Sequence, residues 1–142
     1  MKILFNNAIF FSQKIGGVSR YFDSIFKKFI ELKFPFKVIA PIYKNIYLRD
    51  LDNKFKQGLY FPKYPMLKQF VKLNEILTNF IISKNYKSNI IHDTYCSSSL
   101  LEIKNKKKVI TIYDLIHEKF NNYYNYKDII QNKKKIFDNT DY

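Results

Sequence analysis

The sequence predicts an α/β protein built on a parallel sheet with helices on both faces. Three observations predict it. A short apolar strand, Lys2–Phe5, is followed by an amphipathic stretch from Val18 to about Leu32 and by a second apolar strand, Phe36–Ala40. Such a strand–helix–strand run joins parallel neighbours, because parallel strands need a crossover rather than a hairpin. Later, Val109–Tyr113 is β-branched and nearly all apolar, the pattern of a strand covered on both faces. The length of 142 residues suits one domain.

Each element follows from local pattern. Asn6–Ile15 reads as a loop whose Ile9, Phe10 and Phe11 either tuck under it or face a partner. In the first helix Val18, Phe22, Ile25, Phe26, Phe29 and Ile30 share one face at spacings of three and four. Phe34-Pro35 stops it, and Pro41 is expected to end the second strand. Pro41–Pro65 is the least patterned stretch, with tyrosines interleaved among basic residues and a short strand expected at Leu59–Pro62. Aromatics among lysines can stack bases or sugars, or pad a surface insertion. From Met66 to about Lys84, apolar residues at 66, 70, 73, 77, 80 and 81 predict an amphipathic helix. It either covers the sheet or lies on a membrane surface. Asn89–His92 reads as a strand, Ser97–Ile103 as a capped short helix, and Lys104–Lys108 as a solvated basic turn. A last helix spans about Lys127–Asp138, and no strand is expected after it.

Composition narrows the function classes. Lys and Arg number 25 against 12 Asp and Glu, a net charge of +13. That charge suits an anionic membrane or nucleic acid, or is generic solvated charge. Arg occurs only at 20 and 49, whereas nucleic-acid readers use its planar fork, so no nucleic acid is expected. The single cysteine, Cys96, excludes an internal disulfide and offers no metal-ligand spacing. No signal peptide or spanning stretch is read, so a cytoplasmic protein is expected.

Two places invite chemistry. Gly16-Gly17 are two of only three glycines, and they stand just before a helix start, where amide groups and the helix dipole favour an anion. They form either a phosphate-docking loop, with Arg20 as a clamp, or a tight turn. Asp114 and His117 follow the clearest strand, and strand ends are where open α/β sheets bind ligands. A capping Asp and a surface His are the alternative.

Four stretches in order, Asn6–Phe22, Asn89–Leu101, Lys106–Tyr124 and Lys133–Tyr142, resemble the N-terminal half of family 4 nucleotide-sugar glycosyltransferases of the GT-B fold. The resemblance implies a Rossmann-like acceptor-side domain over residues 1–142, lacking its last strand and the C-terminal nucleotide-sugar domain with its glutamate pair. It implies that Gly16, Gly17 and Arg20 serve the donor diphosphate. Asp114 and His117 would be catalytic, and His92, Thr94 and Tyr113 would lie on the acceptor side. Many members carry His where this chain has Tyr113. The implied reaction is retaining transfer to a saccharide or lipid-linked saccharide in cell-surface polysaccharide synthesis, without cofactor or metal, and with peripheral contact to an anionic inner leaflet. The chain alone is expected to be inactive. The alternative is a non-enzymatic basic α/β module that binds membrane or nucleic acid.

Overall fold

Five parallel strands form the centre of the molecule. The structure, a computed structural model, describes residues 2–64, 68–85, 88–113 and 127–142. Strands β1 (Ile3–Phe5), β2 (Phe36–Tyr43), β3 (Lys56–Tyr60), β4 (Ile90–Asp93) and β5 (Lys107–Ile110) lie in the order β3-β2-β1-β4-β5. Helices α1 (Ala8–Ser12), α2 (Gly17–Glu31) and α3 (Ile46–Asp50) cover one face. Helix α4 (Lys68–Lys84) and the 3₁₀ turn Ser98–Glu102 cover the other, with α5 (Lys127–Phe137) packed on that turn. The fold is therefore the expected α/β type, a Rossmann-like three-layer arrangement.

Strand alternation divides the core in two. Phe5, Phe36, Val38 and Ala40 face α2, where Phe22 and Phe26 meet them. Leu4, Ile39 and Ile91 face α4 and meet Ile82 and Ile103. Phe5 is the hub of the first core, with ring contacts to Phe22, Phe26 and Phe36 at centroid separations of 5.8, 4.9 and 6.2 Å. Ile9, Phe10 and Phe11 are all buried in α1, so the expected loop contains a helix and its apolar residues tuck inward.

Several boundaries depart from expectation for visible reasons. β2 runs through Pro41 to Tyr43 instead of ending there. Its register with β3 shifts between Ile39 and Ile42, and a bulge is where a sheet tolerates a residue without an N–H. The Asn74 side chain, from α4, accepts from Ile42 N at 3.1 Å and donates to Ile42 O at 3.0 Å. Residues 41–65 hold α3, a 3₁₀ turn at Asn53–Phe55 and β3, which starts three residues before the expected strand. The buried Lys56 amine donates to Leu48 O at 2.9 Å and Arg49 O at 2.5 Å. It thereby caps α3, as a cation near a helix C-terminus should.

The α4 expectation is half right. The helix exists, but its inward line is Asn74, Thr78 and Ile82, while Leu73, Leu77 and Phe80 are exposed. β5 starts at Lys107 rather than Val109, is only partly buried, and among the described residues pairs with one strand, β4. Its other side is met by the chain end. The amides of Asp141 and Tyr142 donate to Lys108 O at 3.0 and 3.2 Å, and Ile110 N donates to Tyr142 O at 3.0 Å. These backbone bonds tie residues 141–142 to the edge of β5, and no strand follows α5 among the described residues, as expected.

Helix α2 ends on Lys33 at φ 53°. Its amide donates to Ile30 O at 3.1 Å and that of Phe34 to Phe29 O at 2.8 Å, the Schellman arrangement that favours glycine at this position. Lys33→Gly is expected to raise stability by about 1 kcal/mol, seen as a higher urea midpoint with an unchanged slope.

Candidate functional site at the carboxyl ends of the strands

A buried polar knot lies where β1 and β4 end, beside the point at which strand order reverses. Asn6, Asp93 and Thr94 are all buried there. The Asn6 amide donates to an Asp93 carboxylate oxygen. Asn6 Oδ1 accepts from the Thr94 amide and hydroxyl, both at 2.8 Å. Thr94 Oγ1 in turn accepts from Ile9 N at 3.1 Å, tying the start of α1 to β4. The other Asp93 oxygen accepts from Ser97 N at 2.6 Å. Burial raises the Asp93 carboxyl to about 6, against the opposing pull of the Asn6 and backbone hydrogen bonds.

His92 owes its place to register. It pairs with Phe5 across β1–β4, and the rings stack at 5.2 Å, with Phe22 edge-on at 5.5 Å. Burial lowers the imidazole to about 4, so it is neutral at pH 7. Its Nε2 lies 2.9 Å from Thr111 Oγ1. Tyr113 donates to Thr94 O at 3.4 Å, and its ring meets Tyr21 at 5.8 Å and Phe22 at 6.2 Å. Burial raises its phenol.

The glycine pair sits at this same end, held from below. Asn45, fully buried, donates to Gln13 O at 2.9 Å and Lys14 O at 3.3 Å and accepts from Leu48 N at 3.1 Å. Gly16 is extended, a conformation open to any residue. A Cβ on it would meet the Gln13 carboxamide at 2.1 Å, whereas a Cβ on Gly17 would meet nothing within 4 Å. The Gln13 carboxamide oxygen faces the helix start and accepts from Ser19 N at 3.4 Å. Arg20 is exposed one turn in, and among the described residues it has no carboxylate partner.

Of the residues singled out from sequence, the structure brings His92, Thr94 and Tyr113 together with the start of α2, which carries Gly16, Gly17 and Arg20. Thr94 has no exposed surface, so its contribution is to position the loops. Asp114 and His117 lie outside the described residues. Sequence reasoning missed Asn6, Gln13, Asn45 and Asp93. For Asn6 and Asp93 the available signal was a polar residue at the end of an apolar strand, whereas Gln13 follows α1 and Asn45 stands two residues beyond β2. Among the described residues, no three His, Cys, Asp or Glu side chains are grouped to share a metal ion. No described helix is long and apolar enough to cross a membrane.

Comparison with known families, curated proteins and solved structures found no match. The site is therefore read on its own geometry.

Proposed function

We propose that this chain is the acceptor-side domain of a retaining glycosyltransferase, moving a sugar from a nucleotide-sugar donor to a saccharide or lipid-linked saccharide. It works only with a donor-binding partner domain. The observation that supports this reading is the convergence of the glycine-pair helix start and Tyr113 at one end of the sheet, in ring contact through Tyr21. In this reading a diphosphate oxygen takes the place of the Gln13 carboxamide oxygen against Ser19 N–H, and Arg20 adds a cation. Fixed donors of that kind stabilise a departing diphosphate without reorganising. The neutral His92 imidazole backs the site rather than carrying charge. Asp114 and His117 act on the reacting sugar.

The test is a titration of the ¹⁵N-labelled chain with uridine and guanosine diphosphates. Amide resonances of Gly16, Gly17, Ser19 and Arg20 are expected to move together at millimolar ligand, because the partner domain supplies most of the donor affinity. Gly17→Ala separates binding from folding. Nothing crowds a Cβ there in the free chain, and alanine favours a helix by up to about 1 kcal/mol over glycine. Its urea midpoint is expected to hold or rise while diphosphate binding falls several-fold. Arg20→Ala is expected to weaken binding about tenfold, the loss of one charged hydrogen bond. Resonances of residues 16–20 that stay still under both ligands would overturn the proposal.

A further inference from the structure

Helix α4 packs on β2 and leaves β3 bare on the same face. Asn74, on its inward line, bonds the Ile42 backbone, and Ile42 is in register with Leu59 of β3. Side chains alternate along a strand. Tyr60 packs against the core under α2, so Leu59 and Phe61 project to the α4 face. They are 72 and 56% exposed. One flank of α4 is turned the other way, toward the 3₁₀ turn, where the Asn79 amide donates to a Glu102 carboxylate oxygen at 3.2 Å. Helical spacing sets Leu73, Leu77 and Phe80 on the opposite flank, toward β3, and Ile76 on the back of the helix. These four are 40 to 59% exposed. Rolling the helix to bury them would break both Asn74 bonds and leave buried polar groups unsatisfied. A bare strip of sheet therefore lies beside a helix whose back is apolar, and a sheet face ordinarily needs another element to cover it.

We infer that the chain pairs with a second copy across this surface, on a two-fold axis that crosses α4. The two α4 helices run antiparallel in one layer, and the back of each lies on β3 of the other copy. Each copy supplies the helix that the other's β3 lacks, which is the self-complementarity a two-fold interface demands. Burying Leu59, Phe61, Leu73, Ile76, Leu77 and Phe80 in both copies removes on the order of 1,200 Å² from water, enough for a stable specific interface. Charge permits the pairing although the chain carries +13. Lys68 and Lys72 share the flank of Asn79, away from the partner. Lys84 stands on the β3 flank near the helix end, its amine 5.8 Å from the Phe80 ring centre. With the axis near Leu77, antiparallel helices hold the two Lys84 side chains about 20 Å apart, well beyond the screening length in physiological salt. This inference does not rest on the glycosyltransferase reading, since it uses neither the glycine pair nor Tyr113.

The experiment is sedimentation velocity of the chain over rising concentration, expected to show a monomer–dimer equilibrium in the micromolar range. Hydrogen exchange of wild type is expected to show protection of Gln57–Phe61 and α4 that grows with concentration. Leu59→Glu and Phe80→Lys are each expected to weaken association about tenfold or more, because each buries a charge. Their circular dichroism should be unchanged, since both side chains are exposed. Mixed in equal amounts, the two variants are expected to pair better than either alone. The glutamate of one then meets the lysine of the other, while the second half of the interface is wild type. A chain that stays monomeric at about millimolar concentration would overturn the inference, as would a dimer that survives either substitution. A mixture that pairs no better than its components would show that α4 does not meet β3 of the other copy. A monomeric chain that binds phosphatidylglycerol vesicles through Phe80 would make lipid, not a second copy, the occupant.

Discussion

Gly58→Ala is expected to cost about 3 kcal/mol or more, combining backbone strain with overpacking. Gly58 sits at φ +144°, where side chains rarely go, and a Cβ there would lie 1.5 Å from Ala40 O and 2.4 Å from Ala40 C. Those atoms belong to the backbone of β2 and cannot rotate away as a side chain would. The close approach belongs to the bulge. Pro41 interrupts the β2–β3 ladder, the register shifts between Ile39 and Ile42, and Gly58 lets β3 close against the displaced carbonyl. The variant must either part β3 from β2 or shift the bulge that Asn74 holds. Urea unfolding should show a lower midpoint, and hydrogen exchange should show lost protection first in Lys56–Tyr60. A midpoint within about 0.5 kcal/mol of wild type, the range of an ordinary surface change, would refute this account of the bulge.

The same region shows how far sequence carried the fold. The buried face was legible in α2, where Phe22 and Phe26 are buried and Val18, Ile25 and Phe29 pack beside them although Ile30 is exposed. The short apolar runs of β2 and β4 are strands as expected. Periodicity misled in α4, where Leu73, Leu77 and Phe80 have the pattern of an inward face. What orients that helix is long-range: Asn74 pairs with the Ile42 backbone and Ile82 packs with Leu4, Ile39 and Ile91, and no local pattern encodes either. Pro41 misled for a related reason. A proline stops a strand unless a neighbouring strand and helix accommodate a bulge. At the candidate site, Gly16-Gly17 and His92 were visible as residue types. The buried Asn6–Asp93–Thr94 knot was not, because its members are 87 and 88 residues apart in sequence. Nor could sequence separate the glycines by mechanism. Only Gly58 is required by backbone contact, while Gly17 is unconstrained in the free chain.

His92 and Asp93 are adjacent in β4, and their titrations are expected to oppose each other. The Asp93 carboxyl is raised from 3.8 to about 6. Its folded form holds a proton more tightly than its unfolded form, so its contribution to stability is greatest below 3.8 and is lost as pH rises through about 6. The His92 imidazole is lowered from 6.5 to about 4. Its contribution is present in full above 6.5 and is lost as pH falls toward 4. Each shift corresponds to roughly 3 kcal/mol, with opposite slopes over nearly the same window, so in wild type the two largely cancel. Single variants should uncover them. Asp93→Asn is expected to lose stability relative to wild type by roughly 3 kcal/mol between pH 6.5 and 4, as His92 titrates unopposed. His92→Phe is expected to gain a similar amount over the same interval. Both are read as differences from wild type in urea midpoints at each pH, so carboxylates common to both proteins drop out. The offset at pH 7 is a separate quantity, because Asn cannot accept both the Asn6 and Ser97 hydrogen bonds. A difference between Asp93→Asn and wild type that stays constant from pH 4 to 7 would show that the knot holds an ordinary carboxylate, and the raised titration of Asp93 would have to be abandoned.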